Sequence, residues 1–224
     1  MNTQVLPVND KSIALAAELL QKGELVALPT ETVYGIAADA RNGEAVKKIF
    51  EAKGRPQDNP LIVHIYGMEM LEGIVSEVPD RAYKLAKAFW PGPLTVVLTA
   101  RLTPLEGRRP LAPQLVNPKG KAAVRLTPHP LAAQLSRLAG APLTASSANI
   151  SGQAAARVPE ELDERLLAAL TGPDDGVVVS GPAPAGGVPS TIVEPLAGTD
   201  LRVLRLGAVS LEALKAAGFT PHLA

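Results

Sequence analysis

The sequence predicts an α/β protein built as one domain around a twisted sheet. Short apolar runs bounded by Gly and Pro alternate with amphipathic stretches along the whole chain, the pattern of strands feeding helices. Glycines fall where amphipathic stretches end, at positions 23, 54 and 140, as helix stops do. No internal repeat, low-complexity tract or heptad interrupts the alternation. Strand order is not legible at this level.

Asn9 or Asp10 can cap a first helix whose apolar positions include 13, 15, 16, 19 and 20. Residues 24–29 read as a short buried strand that empties into a hydroxyl-rich loop, 30–35. A helix over 44–53 carries apolar residues at 45, 46, 49, 50 and 52, and a strand at 61–66 follows. Pro79-Asp80 opens a helix that Pro91-Gly92-Pro93 stops, and 94–99 is a strand. Residues 101–120 are rich in Pro, Gly, Arg and Lys without periodicity and read as a mobile surface loop. Strands at 121–126, 142–145 and 177–179 and helices at 130–139, 159–170 and 210–217 complete the reading.

Composition excludes several classes of function. The 224 residues are 46% hydrophobic and 20% charged, and Lys plus Arg (22) balances Asp plus Glu (22). No global charge recruits nucleic acid or membrane, so any anion binding comes from local clusters. The absence of cysteine removes disulfides, thiolate nucleophiles and Cys-based metal sites, which suits a reducing cytosol. Three histidines, at 64, 129 and 222, make a His-rich metal site an unlikely use of this chain. The first residues lack the basic and apolar regions of a secretory signal, and the apolar runs are too short to span a bilayer. A cytoplasmic location is the expectation.

Four polar segments adjoin the apolar strands: Thr30/Thr32, Lys53/Arg55/Asn59, Ser147/Asn149/Ser151 and Ser190/Thr191. In an open α/β sheet, several strand ends can converge on one crevice. Cations, hydroxyls, amides and glycines gathered there suit a polyanion and a small polar molecule, with Arg able to hold phosphate through two parallel donors. Each segment also has a plainer reading. Lys53 and Arg55 sit where a helix ends, and cations there complement the helix dipole. Ser and Thr beside Gly and Pro make turns and caps. His64 in an apolar strand is what a hydrogen-bonded core histidine looks like. Phosphate loops of the Gly-x-x-x-x-Gly-Lys-Ser/Thr type, Gly-x-Gly-x-x-Gly turns, Gly-x-Ser-x-Gly turns and His-Glu-x-x-His motifs do not occur.

The combined pattern resembles the YrdC-like family of threonylcarbamoyl-adenylate synthases. The matching blocks are Leu28-Pro-Thr-Glu-Thr-Val-Tyr-Gly35, residues 49–64, Phe89-Trp-Pro-Gly-Pro-Leu-Thr95, Ala123-Val-Arg125, Ser147-Ala-Asn-Ile-Ser-Gly152, Ser190-Thr-Ile192 and Leu204-Arg-Leu-Gly-Ala208. They keep the family's order and extend over nearly the whole chain. The resemblance implies a single-domain α/β fold, a twisted, mostly mixed/parallel open sheet flanked by helices, with a concave basic face. It also implies a catalytic domain over 1–209, then a C-terminal helix and tail at 210–224 without an additional domain, as in the family's short form.

The implied reaction joins L-threonine, bicarbonate or CO2, and ATP into threonylcarbamoyl-adenylate and pyrophosphate, for the t6A modification of tRNA. Carried over residue by residue, Thr32, His64, Arg125 and Ser190 match positions that hold threonine, with the main chain at Ala145 contributing. Arg55, Asn59, Ser147, Asn149 and Arg205 match positions that contact ATP. Lys53 and Arg55 form the family's cationic pair and are the expected catalytic residues. ATP is a substrate, Mg2+ travels with it, and no tightly bound cofactor or protein-held metal is implied. The implied partners are the small substrates, a t6A transferase complex that receives the intermediate, and weak contact with tRNA or other RNA. The chain departs from the family pattern at Ser146, Pro189 and Leu206, each beside a carried-over residue.

Two other readings compete. A non-catalytic RNA-binding module would use the same basic face, but aromatic content is only 3%, leaving few stacking platforms. A carbamoyl-transfer domain like that of hydrogenase-maturation proteins would bring zinc-finger and acylphosphatase-like segments, which this sequence lacks.

Overall fold

The computed structural model describes residues 3–30, 33–56, 61–170, 177–181 and 187–224. Strand β1 (Gln4–Pro7) leads into helix α1 (Asp10–Lys22). Asn9 caps this helix by accepting from the Lys11 and Ser12 amides, while the Ser12 hydroxyl accepts from the Asn9 amide. That reciprocal arrangement satisfies donors that a helix start leaves open. Strands β2 (Val26–Pro29) and β3 (Tyr34–Asp39) precede α2 (Gly43–Lys53), which Asn42 caps and Gly54 ends at φ 58°. Then come β4 (Ile62–Ile65), the short α3 (Leu71–Ile74), α4 (Asp80–Phe89), β5 (Leu94–Thr99), β6 (Lys121–Leu126), α5 (Pro130–Ala139) and β7 (Leu143–Ser147). Helix α6 (Glu164–Leu170), β8 (Val177–Ser180), β9 (Thr191–Pro195), β10 (Asp200–Arg205), α7 (Leu211–Ala216) and β11 (Thr220–Leu223) complete the order.

Among the described residues the strands form one eleven-stranded sheet, ordered β1-β8-β2-β3-β7-β4-β6-β5-β9-β10-β11. Parallel pairs (β1/β8, β8/β2, β4/β6, β5/β9, β10/β11) mix with antiparallel ones (β2/β3, β3/β7, β7/β4, β6/β5, β9/β10). The sheet is open, as the family resemblance implies.

The two faces are covered unequally, and this positions the site. Along one face runs a large core to which α2, α4, α6 and α7 contribute Ile49, Phe50, Leu85, Leu166 and Leu214, meeting Ile36, Val63, Val96, Val124, Val178 and Val203 of the sheet. On the other face a smaller core joins Ile13, Leu20, Leu131 and Leu135 of α1 and α5 to Val26, Leu28, Ala37, Leu143, Val177 and Val179. Alternation along β2 and β8 places successive residues in opposite cores, so Val26–Leu28 and Val177–Val179 are apolar on both faces. Burying each such large aliphatic side chain contributes about 1.5–3 kcal/mol. The α1/α5 layer draws its strand residues from β2, β3, β7 and β8. Among the described residues, β4, β6, β5, β9 and β10 contribute nothing to it, and their second face carries polar side chains such as Thr95, Arg125 and Glu194.

The structure departs from the sequence reading in several places. The loop expected at 30–35 gives way at Tyr34 to β3, buried along its length. Segment 101–120 is not surface loop throughout: Leu111, Ala112 and Leu115 are core residues, and the Ala112 amide donates to the Ala40 carbonyl at 2.9 Å. The helix expected over 159–170 is a 3₁₀ turn at Pro159–Glu161 followed by α6. Beyond the last helix, β11 adds to the edge of the same sheet in parallel with β10.

Candidate active site

Strands β4, β6, β5, β9 and β10 send alternate residues into the large core: Val63 and Ile65, Val124 and Leu126, Leu94 and Val96, Val193, Leu201 and Val203. The pleat therefore turns His64, Arg125, Thr95 and Ile192 to the face opposite the large core. The strand registers line these up across the sheet. His64 pairs with Arg125, Val96 with Val124 (which sets Thr95 beside Arg125), Thr95 with Ile192, and Ile192 with Arg205. Arg205 joins the row because the β9/β10 register shifts between Val203 and Arg205. One transverse row thus carries a histidine, a threonine and two arginines drawn from four strands.

Arg125, Thr95 and Arg205 are each held by hydrogen bonds. Arg125 is only 8% exposed and donates through Nε to the Gly92 carbonyl at 2.9 Å. Ser190, just ahead of β9 and also buried, shares a hydrogen bond with the Thr95 hydroxyl at 2.9 Å. Arg205 donates to the Ser190 carbonyl through Nε (3.1 Å) and Nη2 (2.9 Å), and Nη2 also reaches the Ser190 hydroxyl at 3.1 Å. Behind them, the buried Thr191 hydroxyl accepts from the Gly207 and Val209 amides and donates to the Val209 carbonyl. Gly207 belongs here for lack of room, since a Cβ would lie 2.1 Å from the Pro189 carbonyl oxygen. The departures at Pro189 and Leu206 leave this clasp intact: the Ala208 amide donates to Pro189 at 2.9 Å, and Leu206 is exposed.

A second assembly forms where α2 ends. The Lys53 ammonium, on a residue only 1% exposed, donates to the Ser147 carbonyl, to the Asn149 carbonyl (2.6 Å) and to Asn149 Oδ1 (3.2 Å). Asn149 Oδ1 also accepts from the Ser147 hydroxyl, and Asn149 Nδ2 donates to the Ile150 and Gln153 carbonyls. In return, the Ser151 amide donates to the Lys53 carbonyl at 2.9 Å, satisfying a group that the helix end leaves open.

Electrostatics join the two assemblies through Arg55. Burial and the Arg55 charge pull the Lys53 ammonium down to about 8. Burial, and then the charges of Arg125 and Arg55, push the Arg205 guanidinium below the ordinary arginine value, and burial does the same to Arg55. Like charges gathered in partly dry surroundings favour an anion among them.

Of the residues picked from sequence, the structure gathers His64, Arg125, Ser190 and Arg205 in one group and Lys53, Ser147 and Asn149 in another, with Arg55 electrostatically between. Ala145 sits on β7, opposite Ile62 of β4 and Ala37 of β3. Thr32 and Asn59 lie outside the described residues. Sequence reasoning missed Thr95 and the structural task of Thr191. A lone hydroxyl inside Leu94-Thr95-Val96-Val97 was the available signal for the first. It also missed Glu194, a nearly buried carboxylate on the same face that takes Lys121 at 2.5 Å and Arg202 at 3.1 Å.

Comparison with known proteins gives this arrangement a context. The profile of the Sua5/YciO/YrdC family, described as telomere recombination, matches residues 18–207. A threonylcarbamoyl-AMP synthase of Bacillus subtilis is 42% identical over 224 residues, covering 96% of this chain and 58% of that protein. A doubly substituted Sua5 of Pyrococcus abyssi superposes with a TM-score of 0.84 at 36% identity, covering 99% of this chain and 65% of that one. The P. abyssi Sua5 complexed with L-threonine superposes with a TM-score of 0.77, also at 36% identity, covering 98% of this chain and 63% of that one. The chain thus spans less than two thirds of the length of each of these proteins.

Proposed function

The chain belongs to the Sua5/YciO/YrdC family, and from that premise we propose that it makes threonylcarbamoyl-adenylate and pyrophosphate from L-threonine, bicarbonate or CO2, and ATP. The observation that carries the reading is that Arg205 feels the charges of both Arg125 and Arg55, while Arg125 and Arg205 share a row of side chains on the sheet. The printed names of the relatives, and the threonine complex of a 36% identical protein, support it.

In this reading the threonine carboxylate lies against Arg125, with His64 beside it in register and the Ser190 hydroxyl and Thr32 completing the subsite near the Ala145 main chain. The threonine amine attacks the carbon of CO2, forming the N–C bond of a carbamate and releasing a proton. A carbamate oxygen then attacks the α-phosphorus of ATP, and the bond to the β-phosphate oxygen breaks as pyrophosphate leaves. No protein nucleophile enters either step. Carboxylate, carbamate and triphosphate must come together against mutual repulsion, so catalysis is positioning and charge stabilisation by Arg55, Arg205 and the Asn59 and Ser147–Asn149 segments. This makes the chain a nucleotidyltransferase. Among the described residues, no three His, Asp and Glu side chains are grouped to hold a metal ion. Mg2+ would arrive as the counter-ion of ATP and shield its phosphates. The product passes to a t6A transferase complex in the cytoplasm.

Pyrophosphate release tests the reading. Release should require both threonine and bicarbonate. Release that continues without threonine would identify a plain ATP pyrophosphohydrolase and overturn it.

A further inference from the structure

The Lys-x-Arg pair does not present two equivalent cations to a ligand. An ammonium has three N–H donors, and those of Lys53 have three acceptors already: the carbonyls of Ser147 and Asn149 and the Asn149 side-chain oxygen. The residue is 1% exposed. The acceptor is saturated too. Asn149 Oδ1 receives both Lys53 and the Ser147 hydroxyl, while both Nδ2 protons go to carbonyls of residues 150 and 153. To touch a phosphate, Lys53 would have to surrender a bond to the loop and leave a buried oxygen without its donor, at a cost of about 1–3 kcal/mol.

We infer that Lys53 is a positioning residue: its ammonium braces the Ser147–Asn149 loop from behind, and Arg55 alone of the pair faces the triphosphate. The brace spans 94 residues of sequence and works in both directions, because the Ser151 amide closes back on the Lys53 carbonyl. A saturated ammonium suits this task. It draws three oxygens of one turn toward a single point, which no neutral side chain of that length can do. This inference rests on the synthase reading for what the loop holds, but the brace itself is a property of the free protein.

The test pairs Lys53→Met with Arg55→Ala. Amide hydrogen exchange on the free proteins reads the brace, and pyrophosphate release with varied ATP reads the chemistry. Lys53→Met should speed exchange across residues 147–152 by tenfold or more and lower kcat at least tenfold, with a smaller change in the KM for ATP. Arg55→Ala should leave that exchange within twofold of wild type and raise the KM for ATP at least tenfold. Unchanged exchange in Lys53→Met, with a KM for ATP raised as in Arg55→Ala, would make Lys53 a phosphate ligand and overturn the inference. Faster exchange with wild-type kcat and KM would reduce Lys53 to a fold-stabilising residue and overturn it equally. A wild-type chain that releases no pyrophosphate would defeat the synthase reading alone, and the exchange arm would still decide the brace.

Discussion

Arg205 folds its guanidinium back onto Ser190, meeting that residue's carbonyl with two donors and its hydroxyl with one. A register shift in β10 brings the arginine opposite Ile192, and the absence of a side chain at Gly207 lets the following turn close over Pro189. The fork of the guanidinium is what this contact uses, and an ammonium offers no such planar pair of donors. Arg205→Ala should lower threonine-dependent pyrophosphate release about a hundredfold, the scale of losing one preorganised contact. Arg205→Lys should fail to restore it. A lysine variant within twofold of wild type would mean that charge, without the fork, is sufficient.

In the proposed reading Arg125 takes the threonine carboxylate and leaves ATP to other residues. It lies in register with His64 and is nearly buried. Arg125→Ala should weaken threonine binding at least tenfold more than ATP binding in calorimetry. Equal losses for both ligands would remove Arg125 from the carboxylate.

Lys53 predicts activity and stability that part company with pH. Its folded value of about 8 lies below the ordinary 10.5 because of burial and the facing charge of Arg55. Below pH 8 both folded and unfolded chains hold the proton, and the cost of burying the charge is fully present. Between about 8 and 10.5 the folded chain releases the proton while the unfolded chain keeps it, so this group's contribution to stability rises with pH. The brace, however, needs all three protons. Turnover should fall above pH 8 without a matching loss attributable to this group in thermal unfolding, and Lys53→Met should lack that limb. A limb that persists in the methionine variant would assign the titration to another group.

Thr191 offers a test of the scaffold. Its buried hydroxyl takes the Gly207 and Val209 amides at 2.9 and 3.0 Å. Thr191→Val keeps the shape and strands both donors, at about 1–3 kcal/mol each. Denaturant unfolding should register a loss of at least 1 kcal/mol. A neutral substitution would mean that water or the turn itself replaces the hydroxyl.

These residues also mark how far the sequence could be read. Strands β4, β5 and β6 were visible as short apolar runs punctuated by Gly and Pro. Strand β3 was hidden because Tyr34-Gly-Ile-Ala-Ala-Asp39 is buried on both faces and runs on from a hydroxyl-rich loop without punctuation. Leu111, Ala112 and Leu115 were lost in a Pro- and Gly-rich segment, since three core residues without periodicity look like loop. For Lys53, local chemistry favoured a solvated helix end, and its burial depends on Ser147 and Asn149 arriving from far along the chain. The row from His64 to Arg205 needed the order β4-β6-β5-β9-β10, which no local pattern encodes.

The central claim is that three converging arginines gather threonine, a carbamate and ATP for adenylation, and product analysis tests it most directly. The protein is mixed with ATP, Mg2+, L-threonine and 13C-bicarbonate, and the products are resolved by mass spectrometry. Threonylcarbamoyl-adenylate carrying the 13C label, formed together with pyrophosphate and lost in Arg55→Ala, is the predicted result. Pyrophosphate without the labelled adenylate, or no turnover by the wild-type chain, would contradict the account.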